Sequence, residues 1–558
     1  MSVARKPKLG FYRASMSTTI AEPVVSKAPK KINARAAGVV GLAVMCSRIL
    51  GLARELILAK LYGAGFGMDA FVAAFRVPNL LRDLFAEGAL STAFVTTFSR
   101  KITSEGDRSA WDLANKVATL AAVTLSFLTL LGIIFAPQLI SILAGGFAPD
   151  KAALTIELTR IMFPFILLVS LAALVMGMLN SKDVFGVPAM ASSFFNLGSI
   201  VGGVALAWWL DPHFGERSLI GLAIGILIGG TLQLVMQFPA LRRVGYRFRP
   251  DFLWKDEGVR QVLYLMAPAV IAASAVQVNV AVNGRFASEL PGDGPVSWLS
   301  YAFRLMQLPL GIFGVAIGTV TLPLISRSAA TGNTTEFRSA LAHGMRLTFL
   351  LTVPSTVGLV MLARPIISII YERGRFGAHS TDQTAAALQC YALGLVAYSG
   401  IKVLAPAFYA IDKRLTPMMI SFVSIAINLI LSWVLTFWLG LGHRGLALST
   451  GCVALINFGA LYVLMRRETK ILETTLMIRT MAKLIVASAL LAGVCWAGRT
   501  WVLAGWAHQP LVLRVVLLGS VIAVGAAVFF GAAMALKIEE VDDLTRLVKK
   551  KFARAAKA

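Results

Sequence analysis

The chain contains 14 apolar stretches, each long enough to cross the hydrocarbon core of a membrane. A helical span needs roughly 20 residues, at about 1.5 Å each, to cover about 30 Å of hydrocarbon. The stretches lie at 36-62, 67-98, 113-136, 157-180, 187-210, 218-240, 259-284, 297-325, 340-362, 383-411, 416-438, 443-465, 478-499 and 511-536. Only 15% of the residues are charged, whereas soluble proteins have about a quarter. The sequence therefore predicts an all-α, polytopic membrane protein of about 14 transmembrane helices.

The distribution of basic residues predicts how the chain sits in the membrane. Most of the 53 Lys and Arg residues fall in or beside the tails and the connections on one side of the predicted spans. Basic residues near span ends favour the cytoplasmic side, so we expect both termini in the cytoplasm. The net charge of +25 is then explained by contact with anionic lipid, and nucleic acid is not an expected partner.

The two halves of the chain repeat one another. The segments AFRVPNLLRDLFAEGALSTAFVTTFSR (74-100) and AFRLMQLPLGIFGVAIGTVTLPLISR (302-327) share their opening Ala-Phe-Arg and their closing Ser-Arg. Six spans per copy give both copies the same orientation, the parallel-repeat arrangement of transporters that rock around a central substrate site. We predict these parts: a disordered basic cytoplasmic tail (1-35), an N-terminal six-helix lobe (36-243), a cytoplasmic linker (244-258), a C-terminal six-helix lobe (259-467), two extra transmembrane helices (468-536) and a basic cytoplasmic tail (537-558).

Several kinds of chemistry find little support in the sequence. The four cysteines lie singly within spans and the five histidines lie in loops or at span ends, so we expect no metal site. No Gly-x-x-x-x-Gly-Lys-Ser/Thr motif is present to bind nucleotide phosphates, so we expect no ATP and no other cofactor. Coupling to the membrane potential or to an ion stays open.

The arginines within the spans are the most informative residues. Charged side chains cost on the order of 3 kcal/mol each within hydrocarbon unless they pair or face water. Five arginines lie inside predicted spans, and we expect Asp69 to be the one deep carboxylate near them, with Glu55 and Asp83 as partial partners only. The five are Arg48, Arg54, Arg76, Arg82 and Arg304. The excess of guanidinium groups, which suit phosphate bidentately, predicts an anionic ligand from outside the chain.

Five stretches that contain these residues closely resemble the MurJ (MviN) family of bacterial lipid II flippases, a branch of the superfamily of multidrug, oligosaccharidyl-lipid and polysaccharide exporters. They are SRILGLARE, DAFVAAFRVPNLLRDLFAEGALSTAFV, FPFILLVSLAALVMGMLNS, AFRLMQLPLGIFGVAIGTVTLPLISR and KVLAPAFYAIDKRLTP. The resemblance covers about residues 33-470. It implies a transporter, not an enzyme, in the cytoplasmic (inner) membrane of a bacterium. Its expected cargo is the undecaprenyl-pyrophosphate-linked peptidoglycan precursor (lipid II), which it would move from the inner to the outer leaflet.

The resemblance also implies roles for particular residues. Arg48, Arg54, Arg82 and Arg304 match the family's cavity arginines and are expected to contact the pyrophosphate. We group Ser47, Asp69, Arg76, Pro78 and Gln307 as further candidate cavity or gating residues. The last two spans would hold the prenyl tail, and cell-wall synthesis or division proteins are candidate partners besides lipid II and the phospholipid bilayer.

The sequence departs from the family at two places. Phe303 and Gln307 stand where some members have acidic residues. A sodium site proposed for some members uses acids where this chain has Gln277, Asn279, Asn283 and Asn428, so sodium is not carried over.

Four alternatives stay open at this point. They are an exporter of O-antigen or capsule lipid-linked sugars, a drug exporter, a membrane enzyme acting on prenyl phosphates, and a scaffold whose buried charges only hold helices together.

Overall fold

The computed structural model describes residues 34–84, 90–469, 472–506 and 509–542. Most of the described chain is α-helical, as predicted. Residues 1-33 and 543-558, which make up most of the two predicted tails, lie outside the described residues, as does Glu87.

The predicted N-terminal lobe contains ten helices, and some of its predicted spans consist of two consecutive helices. They are α1 (Ala34–Tyr62), α2 (Phe66–Leu84), α3 (Ser91–Glu105), α4 (Asp107–Ile134), α5 (Ala136–Leu143), α6 (Pro149–Met162), α7 (Phe165–Ser181), α8 (Gly186–Leu210), α9 (Ser218–Val235) and α10 (Phe238–Arg243). The stretch predicted as one span at 67-98 is represented by α2 and α3, and α3 continues to Glu105.

The rest of the described chain contributes ten more helices. They are α11 (Glu257–Ser288), α12 (Pro295–Pro309), α13 (Ala316–Ala330), α14 (Thr334–Tyr371), α15 (Ala378–Ala392), α16 (Leu395–Ala410), α17 (Leu415–Trp433), α18 (His443–Thr469), α19 (Thr474–Ala497) and α20 (Leu511–Ala535). A π-helical segment, Leu310–Val315, joins α12 to α13 and keeps the pair as one long span.

Ten helical segments of the described residues are long and apolar enough to cross a membrane. The pair α15 and α16, which bends by 42°, makes an eleventh if it is counted as one span. Helices α1, α2 with α3, and α11 occupy the positions of the other three predicted spans. A membrane-spanning helical bundle is confirmed, whereas the count of 14 and the lobe boundaries stay predictions.

The two lobes meet at the end of the bundle that contains the turn between α1 and α2, which we call the Gly63 end. Gly63 has a φ of +68°, and a Cβ there would lie 2.5 Å from the carbonyl oxygen of Arg375, so the turn requires glycine. The Arg375 backbone N–H donates to the carbonyl of Lys60 at 3.0 Å. Its guanidinium donates to the carbonyls of Phe214 and His213, at 2.6 and 2.7 Å. The connections 63–65, 211–217 and 372–377 are thereby joined.

At the opposite end, which we call the Gly106 end, the linker between the lobes is an extended strap along α4. The backbone N–H groups of Arg249 and Asp251 donate to the side chains of Asn115 and Thr119 on α4, both at 3.1 Å. Asp256 then caps α11 and accepts a bond from Lys116 at 2.8 Å. Residues 244–256 therefore follow the surface of α4 without forming a helix.

Candidate functional site

The arginines predicted from the sequence come together between the lobes, where α1 and α2 face α11, α12 and the π-helical segment. Helix α1 is held against α8 by Asn196, whose amide donates to the carbonyl of Ser47 at 3.2 Å and lies beside Gly51. Helix α2 contacts both α11 and α12. These contacts turn the arginine-bearing faces of the first two helices toward the other lobe.

Glu55 is the centre of an ionic cluster that crosses the lobes. Its Oε1 lies 2.5 Å from Nη1 of Arg304 on α12 and 3.4 Å from Nη2 of Arg54. Glu55 is only 6% exposed, whereas the Arg304 side chain is 45% exposed and so borders open space. Arg54 also lies over the ring of Phe195, with 5.4 Å between its Cζ and the ring centroid. One buried carboxylate therefore serves two guanidinium groups.

Arg82 forms a second, more exposed ionic contact on α2. Its Nε and Nη2 donate to Oδ1 of Asp83, at 3.1 and 2.8 Å. The other carboxylate oxygen of Asp83 accepts a bond from Gln277 of α11 at 3.4 Å. This pair also reaches the C-terminal lobe, through a neutral side chain.

Arg48 and Arg76 face glycines of the C-terminal lobe. A Cβ on Gly311 would lie 3.8 Å from both terminal nitrogens of Arg48, and a Cβ on Gly284 would lie 2.2 Å from Nη1 of Arg76. The missing side chain at Gly284 is thus what leaves room for Arg76. Neither guanidinium has a hydrogen bond or a carboxylate partner among residues 34–84, 90–469, 472–506 and 509–542.

Asp69 forms no salt bridge with any of the five arginines, although its charge acts on Arg76 along α2. It is fully buried at the Gly63 end and accepts bonds from the N–H groups of Gly294 and Ser297 and from the Ser297 hydroxyl, at 2.7, 2.8 and 2.6 Å. Lys151 lies 3.4 Å from Asp69 and 2.6 Å from Asp293. A carboxylate of the N-terminal lobe thereby caps the first turn of α12 in the other lobe.

The remaining predicted site residues, Pro78, Gln307 and Ser47, lie on the same helices as the arginines. Pro78 is buried within α2, between Arg76 and Arg82, and it removes one backbone hydrogen bond from that helix. Gln307 is exposed on α12, one turn from Arg304. Ser47 contributes only its backbone carbonyl, which accepts the hydrogen bond from Asn196 that holds α1 against α8.

Glu55 and Asp83 have a larger part in the site than the sequence predicts, and Gly284 and Gly311 are not predicted at all. A signal for the two acids was present, since each directly follows an arginine of the set, at Arg54-Glu55 and Arg82-Asp83. The two glycines had no signal of their own, because only the tertiary structure shows which arginine each one faces.

The site is an incompletely neutralised cationic surface between two lobes. Five guanidinium groups share two nearby carboxylates, and the Arg48, Arg304 and Gln307 side chains are exposed although they lie within long membrane helices. Charged residues inside membrane spans usually face a bundle interior or a water-filled cavity. Such a surface can bind a multiply charged anion, and guanidinium forks favour phosphate oxygens.

Comparisons with known proteins agree with this architecture. Residues 58–517 match the family model described as lipid II flippase MurJ. The chain is 36% identical over 494 residues to the lipid II flippase MurJ of Burkholderia cenocepacia, covering 87% of this chain and 94% of the relative. It is 32% identical over 510 residues to the probable lipid II flippase MurJ of Vibrio cholerae, covering 90% and 95%.

Two solved structures share the fold. A lipid II flippase MurJ in an inward closed conformation is 25% identical, with a TM-score of 0.71 over 89% of this chain and 99% of that one. An inward-facing multidrug transporter of the MATE family is 15% identical, with a TM-score of 0.67 over 79% and 99%, and it supports the fold alone. The family model and the curated relatives agree with the two lobes and the arginine-lined interface of this chain. The chain belongs to the MurJ family of lipid II flippases.

Proposed function

We propose that this chain moves lipid II, the undecaprenyl-pyrophosphate-linked disaccharide-pentapeptide, from the inner to the outer leaflet of the bacterial inner membrane. The observation that carries the proposal is the excess of guanidinium groups between the lobes, where Arg48 and Arg76 have no carboxylate partner among the described residues. A pyrophosphate brings the opposite charge, and it presents oxygens to which several arginines can bond at once. Family membership supports the same cargo.

The contacts between the lobes suggest how the cycle runs. With both termini in the cytoplasm, the Gly63 end faces outward, so the clasp of Arg375 and the cap by Asp69 close the outer side. The arginine cluster then opens toward the cytoplasm, where the head group enters while the prenyl tail stays in lipid. A bound anion offsets repulsion among the arginines and so favours a state in which the lobes close around it.

Energy for the cycle does not require ATP in this proposal. Moving one elementary charge through 100 mV is worth about 2.3 kcal/mol, so the membrane potential can bias the direction in which an anionic cargo or an empty cationic site moves.

Helices α19 and α20, whose exposed faces are largely apolar, are proposed to hold the prenyl tail. Cell-wall synthesis or division proteins are proposed as partners.

The decisive experiment is a leaflet-resolved assay of lipid II in cells depleted of their own flippase. Expression of this chain should restore labelling of lipid II by a reagent that cannot cross the membrane, and growth should return. If cells depleted of this chain instead accumulate O-antigen or capsule precursor while lipid II is unaffected, the chain is the related exporter. Loss of protein from the membrane after neutral arginine substitutions would favour the scaffold.

A further inference from the structure

A cleft at the Gly63 end separates the C-terminal pair of helices from α14 and α15. It has a volume of about 470 Å³, and none of the five arginines between the lobes lines it. We call it the α15–α19 cleft and define it by the residues Arg364, Asp382, Gln389, Arg499, Leu503 and Trp506. The volume falls within the range of roughly 300–1,000 Å³ that is typical of small-molecule sites.

The floor of the cleft is apolar and held in place. Leu503 and Trp506 are buried, and the guanidinium of Arg514 lies over the Trp506 ring, with 4.9 Å between its Cζ and the ring centroid. Arg514 is fixed in turn by a bond of 2.5 Å to the hydroxyl of Ser368 on α14. Leu503 and Trp506 therefore form a buried apolar surface, and the Arg514–Ser368 bond ties it to α14.

The rim of the cleft carries an excess of positive charge. Arg364 and Asp382 form an exposed ion pair, with 2.6 Å between Nε and Oδ1, and largely neutralise one another. Arg499, in the short π-helical segment Gly498–Val502 that follows α19, has no hydrogen bond or carboxylate partner within the described part of the chain. Its charge thus stays available to an anion at the mouth of the cleft.

Exposed tryptophans near the cleft indicate that it lies at the depth of a membrane–water interface. Trp496, in the last turn of α19, and Trp501, in the π-helical segment after it, flank Arg499 in sequence, and both residues are exposed, with 56% and 75% of their surfaces accessible. Exposed tryptophans are concentrated where lipid headgroups meet the hydrocarbon core. A ligand in the cleft would accordingly have its polar part among headgroups and its apolar part toward Leu503 and Trp506.

We propose that the α15–α19 cleft binds the phosphate headgroup of a lipid, with Arg499 as the principal anion contact and Leu503 and Trp506 against the start of the hydrocarbon chain. Such a lipid fills the gap between α15 and the C-terminal pair and joins the two units at the Gly63 end. The phosphate can belong to a membrane phospholipid or to a prenyl phosphate lipid. The site is separate from the cargo site between the lobes and does not depend on which head group that site carries.

The test measures lipid binding to the full-length protein by native mass spectrometry in detergent. The probes are dioleoyl phosphatidylglycerol, undecaprenyl phosphate and dioleoylglycerol, which has the same acyl chains as the first probe but no phosphate. Arg499→Ala should weaken binding of a phosphate-bearing probe about fivefold, equivalent to about 1 kcal/mol for one arginine near a membrane surface. Asp382→Asn should strengthen it, because Arg364 loses its partner.

Arg217→Ala is the matched control, since Arg217 is also exposed at the Gly63 end but lies outside the cleft. It should leave all three affinities unchanged. A selective loss of phosphatidylglycerol binding in Arg499→Ala would identify a phospholipid site, and a selective loss of undecaprenyl phosphate binding a prenyl phosphate site. Equal affinities in Arg499→Ala and Arg217→Ala for both phosphate lipids would overturn the proposal.

Discussion

Glu55 on α1 and Arg304 on α12 form an ion pair that joins the two lobes, with 2.5 Å between Oε1 and Nη1. Arg54 contacts the same carboxylate oxygen at 3.4 Å, so the carboxylate is shared. Removing either arginine therefore leaves Glu55 with the other one. This arrangement separates a role in cargo binding from a role in folding, because neither substitution leaves a buried carboxylate alone.

Arg54→Ala and Arg304→Ala should each abolish complementation of a flippase-depleted strain while membrane abundance stays within about twofold of wild type. Each variant removes one of the proposed phosphate contacts, and each keeps a partner for Glu55. Lysine at either position should rescue only in part, because it keeps the charge but loses the bidentate fork. Growth and immunoblotting of membranes provide the two measurements.

The control for these variants is Arg217→Ala, which removes an exposed arginine at the Gly63 end and should complement fully. Full growth with either Arg54→Ala or Arg304→Ala would contradict the cationic cargo site. A matching fall in abundance would point to a structural role instead.

Arg48→Ala should reduce lipid II transport at least about tenfold without lowering thermal stability. Arg48 borders Gly311 and has no partner among the described residues, so its removal breaks no native ion pair. A phosphate contact is a charge-assisted bond, worth about 1.5–3 kcal/mol, and 1.4 kcal/mol is a tenfold change in affinity. The leaflet-resolved assay and a thermal melt of the purified protein test the two halves of this expectation. A lower melting temperature would show that Arg48 is needed for the fold.

The sequence predicted the helices and the arginine set because both depend on local properties. The cost of a charge in hydrocarbon is set by residue type and position, so Arg54 and Arg304 stand out without any knowledge of tertiary contacts. The pairing of Glu55 with Arg304 could not be predicted in the same way. Glu55 and Arg304 are 249 residues apart in the sequence, and the direct neighbour of Glu55, Arg54, was the more obvious partner.

Asp69 illustrates the same limit at the Gly63 end. The Gly294-Pro295 pair marks the start of α12, since proline is favoured in the first turn of a helix. Nothing in that pattern tells which distant carboxylate will cap the turn. The acid comes from the other lobe, and only the docking of α2 against α12 brings it there.

Asp69→Ala should open the Gly63 end. The variant leaves the N–H groups of Gly294 and Ser297 without their acceptor and leaves Lys151 with Asp293 alone, at a cost of about 2–4 kcal/mol to the closed state. Spin labels at Gly65→Cys and Gly377→Cys, in a background without the four native cysteines, report the distance between the lobes there. Both glycines have open space around the Cβ position and ordinary φ angles, so they tolerate the label.

The label distance should be longer and broader in Asp69→Ala than in wild type. Asp69→Asn is the matched variant, since its amide oxygen still accepts one bond while the charge that faces Lys151 is lost. It should give an intermediate distribution. Identical distributions in all three proteins would show that the cap on α12 does not hold the lobes together.

Asp256 should make stability depend on pH in the acid range. Burial alone would raise the pKa of Asp256, but bonds from Lys116 and from the N–H groups of Gly258 and Val259 lower the pKa below its ordinary value. A carboxylate with a lowered pKa stabilises the folded state above its unfolded pKa of about 3.9, and this stabilisation is lost as the pH falls through the folded pKa. Asp256→Asn should cost about 1 kcal/mol near neutral pH and flatten the acid limb of a melting-temperature profile. An unchanged acid limb would contradict this assignment.

Arg346 holds the C-terminal pair against α14 through two carboxylates at the Gly106 end. Its Nε lies 2.5 Å from Oε1 of Glu540, which follows α20, and its Nη1 lies 2.7 Å from Oε2 of Glu473, which precedes α19. Arg346 and Glu540 are 5% and 1% exposed, so Arg346→Leu leaves a buried carboxylate unpaired and should destabilise the protein by about 3–5 kcal/mol. Glu473→Gln should cost far less, because the Glu473 side chain is 38% exposed.

The double variant Arg346→Leu/Glu540→Leu should recover most of the loss in a thermal or denaturant melt, since it removes both buried charges together. If the double variant is no more stable than Arg346→Leu, the loss comes from the missing contacts of the arginine stem and not from the unpaired carboxylate.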